Sequence, residues 1–71
     1  MLYEIFISEV VDEYSGVYLT YGIRAIKDSD VIFEICDVST DLALVSEIVS
    51  SLNSENIPPY QAGDIISDMI A

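Results

Sequence analysis

The chain has no histidine, no tryptophan, one cysteine and only two cationic side chains, Arg24 and Lys27. Each scarcity removes a class of function. Without histidine there is no ordinary base to activate a hydroxyl or thiol, so Cys36 has no partner for nucleophilic work. A single cysteine can form neither an intrachain disulfide nor a thiolate metal site, which suits a reducing compartment. Two cations cannot supply the basic footprint that phosphate contact requires, so direct binding of nucleic acid or of an anionic membrane surface is excluded. No apolar run approaches the length of a membrane span. The start, Met1-Leu2-Tyr3-Glu4-Ile5-Phe6, has neither the basic residues nor the uninterrupted apolar stretch of a secretion signal. The expected setting is a bacterial cytoplasm.

What the chain has in quantity is acid and hydrocarbon. Thirteen Asp and Glu give a formal net charge of -11 over 71 residues, yet 52% of the residues are hydrophobic. A charge of that sign steers a protein towards cations or basic proteins and opposes compaction by self-repulsion. A domain this small buries only about 60% of the surface its unfolded form exposes. The hydrophobic content therefore implies either a dense core or apolar surface closed against a second chain. No internal repeat or linker is visible, so residues 1–71 read as one domain.

The apolar periodicity changes at Asp37-Val38-Ser39-Thr40-Asp41, from a period of two before it to a period of three to four after it. Ser39 or Thr40 is placed to cap a helix, and Asp41 adds negative charge at the positive end of its dipole. Before the joint the spacing predicts three strands, over 2–11, 17–27 and 31–38, the middle one central. Their turns are Asp12-Glu13-Tyr14-Ser15-Gly16 and Asp28-Ser29-Asp30.

One register accounts for the odd residues. Val11 opposite Val17 sets Glu4 beside Arg24 and Phe6 beside Gly22, and Lys27 opposite Val31 sets Glu34 on the other side of Arg24. The arginine then lies between two carboxylates, and an aromatic ring covers the glycine. The remaining face, Tyr3, Ile5, Ile7, Val17, Leu19, Tyr21, Ile23, Val31, Phe33 and Ile35, is expected to be the core. After the joint, a helix over about 40–53 carries Leu42, Val45, Ile48, Val49 and Leu52 on one stripe, with Asn53 as a left-handed stop. Pro58-Pro59 opens a second helix bearing Ala62, Ile65, Ile66 and Met69. The fold class is α+β, a three-stranded antiparallel β-meander followed by two helices on one face, βββαα.

Tyr21-Gly22-Ile23, the Asp37–Asp41 joint, Asn53, Ile57-Pro58 and Asp64-Ile65-Ile66-Ser67-Asp68 resemble the pattern of a family of short uncharacterised proteins from Gram-positive bacteria, a domain of unknown function. The resemblance implies a small α+β domain and no particular activity. Two positions depart from it: the family often has histidine where Gln61 stands and glutamate where Ser67 stands.

Each candidate site has a plain structural explanation beside it. Asp37 and Asp41 with Asp12 and Glu13 could hold a divalent cation if their loops met, but no spacing matches a calcium loop, and capping accounts for Asp41. Asp28-Ser29-Asp30 has the look of a magnesium-binding acidic pair, yet a hairpin loop calls for the same residue types. The expectation is therefore no enzyme activity, no metal and no cofactor. The weightiest feature is the sheet face opposite the helices, with Leu2, Phe6, Val10, Tyr18, Ile26, Ile32, Cys36 and Val38. Two helices cannot cover both faces, and apolar patches above a few hundred Å² usually mark contacts. The sequence thus points to a homo-oligomer, a dimer, anchored by Phe6, Tyr18, Ile26 and Ile32. The rival is an acidic decoy of nucleic-acid phosphate that blocks a basic or nucleic-acid-binding protein.

Overall fold

The computed structural model describes residues 1–71. Three strands, β1 (Leu2–Asp12), β2 (Gly16–Lys27) and β3 (Asp30–Ser39), precede two helices, α1 (Leu42–Ser54) and α2 (Pro59–Ile70). The sheet is an antiparallel meander in the order β1-β2-β3, as the alternation of β-branched and aromatic residues predicts. β1 and β2 pair without interruption from Leu2↔Ile26 to Asp12↔Gly16, which includes the expected Glu4↔Arg24 and Phe6↔Gly22. The three-residue turn Glu13-Tyr14-Ser15 is held by the Asp12 carboxylate, which accepts the Tyr14 and Ser15 amides. Gly16 takes the positive φ, 80°, that this turn requires.

β3 departs from the expected register at two places. Asp28 and Ser29 both have positive φ, 52° and 70°, so the second turn is a two-residue one and Lys27 pairs with Asp30. A bulge at Ile32 then restores Ala25↔Phe33 and Arg24↔Glu34. Val31 is thereby moved from the core face to the opposite one, beside Ile26. Further on, Ile23 pairs with Ile35 but Tyr21 with Ser39, so three residues of β3 stand opposite Gly22. Asp37, with φ 53°, breaks the alternation there, and Val38 is buried in the core cluster instead of lying on the open face.

The α1 cap is Asp41 itself, whose carboxylate accepts the Leu44 amide at 3.3 Å while its own amide donates to Ser39 Oγ. Ser39 ends the strand, and Thr40 makes no cap. Asn53 lies inside α1, and the left-handed residue is Asn56, φ 51°. Pro59 opens α2 as its first residue, behind an extended Pro58. No helix is long and apolar enough to cross a membrane.

The core joins Tyr3, Ile23, Ala25 and Val38 to Val45, Ile48, Leu52, Ala62 and Ile66. Tyr3 meets the Phe33 ring edge-on, 6.4 Å between centroids. Its hydroxyl donates to the Ile57 carbonyl at 2.6 Å, tying the helix connection to the sheet. This core occupies one end of the sheet. At about 3.3 Å per residue β1 is roughly 36 Å long, whereas α1 at about 1.5 Å per residue spans roughly 20 Å. The shortfall, about five residues per strand, leaves the far part of the β1–β2 hairpin outside the helix layer as an arm. The molecule is accordingly long, 39 × 27 × 18 Å, with a radius of gyration of 12.5 Å. A compact chain of this length would have about 11 Å.

Candidate interaction surface

On the face opposite the helices the polar and aromatic groups cover one another. Phe6 lies flat enough on Gly22 that a β-carbon there would stand 2.6 Å from its ring. Arg24 sits above Phe6, 5.5 Å from the ring centroid, and its Nε donates to Glu4 at 2.7 Å. Stacking and ion pairing both draw the guanidinium towards β1. Glu34, although opposite Arg24 in register, is left exposed and unbridged, so the expected three-member ladder is a pair.

Of the four anchors read from the sequence, Phe6, Tyr18 and Ile26 are half-buried within the monomer and Ile32 is exposed. Leu2 and Val31, paired with Ile26 from either side, form a row across all three strands. Leu2, Val31 and Ile32 are 45–55% exposed. The shortened turn and the bulge together assemble this row, because the turn brings Val31 opposite Ile26 and the bulge keeps Ile32 from turning into the core. Cys36 is exposed, its thiol donating to the Glu34 carboxylate at 3.9 Å.

A second apolar surface escaped the sequence reading. Ile7, Val17 and Leu19 were expected in the core, but with Val11 they are 57–79% exposed. All four lie on the helix-side face of the arm, beyond the reach of α1. The periodicity correctly assigns their face, but the length of the cover was the signal that decided their exposure. Glu9, opposite Leu19, stands among them.

The remaining candidates are held apart. Asp12 is occupied by its turn amides, and these two hydrogen bonds hold its carboxyl below the usual carboxylate range. Asp37 accepts the Thr20 hydroxyl at 2.8 Å, and Asp41 caps α1. No three His, Cys, Asp or Glu side chains converge in a way that would hold a metal ion. Asp28 and Ser29 are the central residues of the tight turn, and the surface has no cavity or cleft.

No family model matches the chain, and no curated protein or solved structure does either.

Proposed function

We propose that the protein is a non-catalytic interaction module of the bacterial cytoplasm that self-associates through the face opposite its helices. The observation that carries this reading is the row Leu2, Ile26, Val31 and Ile32 lying across one end of the sheet, with Phe6 and then Tyr18 further along the same face towards the arm. Large apolar and aromatic side chains of this kind dominate interface energetics, and a second copy offers the same row to the first. Charge favours the same arrangement locally. The unbridged Glu34 carboxylate is available to a guanidinium of the second copy, beside an Arg24 that its own Glu4 only partly satisfies. Support for an acidic decoy is weaker, because the carboxylates are dispersed: Asp12 and Glu13 at one end of the hairpin, Asp28 and Asp30 at the other, and Glu47, Asp64 and Asp68 on the helices.

Light scattering coupled to size exclusion tests the reading. The expected mass is twice the 7.9 kDa chain. Ile32→Asp or Tyr18→Asp should return it to that of one chain with the far-ultraviolet spectrum unchanged. A mass that neither substitution alters would remove the proposed surface.

A further inference from the structure

The arm carries an unused hydrogen-bonding edge as well as exposed side chains. Tyr3 shows which way that edge points: its amide donates to Asn53 Oδ1 at 2.8 Å, and its carbonyl accepts Asn53 Nδ2 at 3.0 Å. Both backbone groups of Tyr3 therefore face away from β2. The β1–β2 register is unbroken, so the alternation of an antiparallel ladder turns Ile5, Ile7, Glu9 and Val11 outward in the same way. No backbone hydrogen bond outside the ladder reaches them. The Asn53 amide already behaves as a one-residue imitation of a neighbouring strand, and the edge continues past it uncovered.

The side chains of these residues define what fits beside them. Ile7, Glu9 and Val11 share the helix-side face, and residues directly opposite them on an added strand would fall on that face too. Glu9 is exposed and has no cation near it. Arg24 is on the other face with Glu4, and Lys27 is at the far end of β2. A second copy cannot supply the missing charge, since β1 contains no Lys or Arg and each chain carries a net charge of -11.

We infer that the outer edge of β1, from Ile5 to Val11, is a docking site for an extended basic segment of another protein. The segment adds as a fourth strand, with apolar side chains opposite Ile7 and Val11 and a lysine or arginine opposite Glu9. Main-chain pairing provides the attachment and the alternate side chains the selectivity. This surface is separate from the face assigned to self-association and does not depend on it.

The probe is an end-capped synthetic peptide, Thr-Val-Thr-Lys-Thr-Val-Thr, titrated into the full chain and followed by amide NMR. The outward amides of Ile5, Ile7, Glu9 and Val11 should shift and lose solvent exchange, with those of Phe6, Ser8 and Val10 changing little. Replacing the peptide lysine by glutamate should weaken binding about tenfold, from loss of one favourable cross-strand pair and gain of a like-charge one. N-methylation of alternate peptide amides should abolish it. Glu9→Lys, an exposed change, should reverse the preference between the two peptides. Equal binding of both peptides, shifts confined to the helices, tolerance of N-methylation, an unreversed preference in Glu9→Lys, or pairing of the same amides with a second copy would each overturn the assignment.

Discussion

Gly22 is the one position where the fold has no room for a side chain. A β-carbon would meet the Ile35 carbonyl oxygen at 2.6 Å and the Phe6 ring at 2.6 and 2.7 Å, and the carbonyl belongs to a paired strand. Gly22→Ala should cost about 1–3 kcal/mol, as overpacking does. Gly63, inside α2 with nothing within 4 Å of its missing β-carbon, is the counterpart. There alanine should stabilise by about 0.5–1 kcal/mol through helix propensity. Urea denaturation of both variants gives the signs, and a Gly22→Ala midpoint at or above the parent would falsify the packing of Phe6 on that backbone. Tyr3 makes a different prediction. Burial pushes its hydroxyl above the usual 10.0. The unfolded chain then loses the proton first as pH rises, so stability is full below about pH 10 and falls from there until the folded-state value is passed. Tyr3→Phe should be less stable at neutral pH and should flatten that alkaline slope, as denaturation at pH 8 to 11 would reveal. Phe6 over Gly22 was legible because one register dictates it. The acceptor of the Tyr3 hydroxyl was not, because a backbone carbonyl 54 residues away leaves no mark in a sequence.

Among the elements, β1 is the exposed one. Its inner face is paired throughout, but its outer edge is met only by Asn53 at Tyr3. Native-state hydrogen exchange should therefore alternate along the strand. Phe6, Ser8 and Val10 should be protected by the ladder, Tyr3 by Asn53, and Ile5, Ile7, Glu9 and Val11 should exchange quickly in the free chain. Asn53→Ala should release the Tyr3 amide and cost about 1–3 kcal/mol, two net hydrogen bonds. Uniform protection along β1 would mean that the edge is already covered in solution. The helix assignments came from apolar stripes and the Pro58-Pro59 start, which are local signals. The shifts in β3 were less accessible. A two-residue turn with both residues left-handed usually advertises itself with glycine or asparagine, and Asp28-Ser29 contains neither. Once the turn is one residue shorter, the bulge at Ile32 is needed to keep Phe33 and Ile35 inward.

For the molecule as a whole, charge and shape set the terms of association. Two chains of net charge -11 repel one another, and salt screens that repulsion within about 10 Å at 0.1 M. A dimer closed by apolar residues should thus persist or strengthen as salt is raised. Binding to a basic partner should weaken. Solution mass measured at low and high salt separates the two behaviours, and a dimer that dissociates on adding salt would contradict an apolar interface. The two apolar surfaces lie on opposite faces of the sheet, so both can be engaged at once.

Local chemistry was enough to specify the element order, the β1–β2 register and which face of β1 and β2 the helices pack on, because alternation, turn residues and helix stripes are short-range properties written along the chain. It could not say how far the helices reach. That depends on two rises per residue, about 3.3 Å in a strand and about 1.5 Å in a helix, and on where α1 is anchored. Asn53 fastens one end of α1 at Tyr3, and Ser39, opposite Tyr21, precedes its other end. The helix-side residues of β1 and β2 beyond that span are left uncovered. Ile7, Val11, Val17 and Leu19 carry a core pattern and lie in the open for that reason, whereas Val38, placed by alternation on the open face, is drawn inside by a left-handed Asp37 and a break in the ladder.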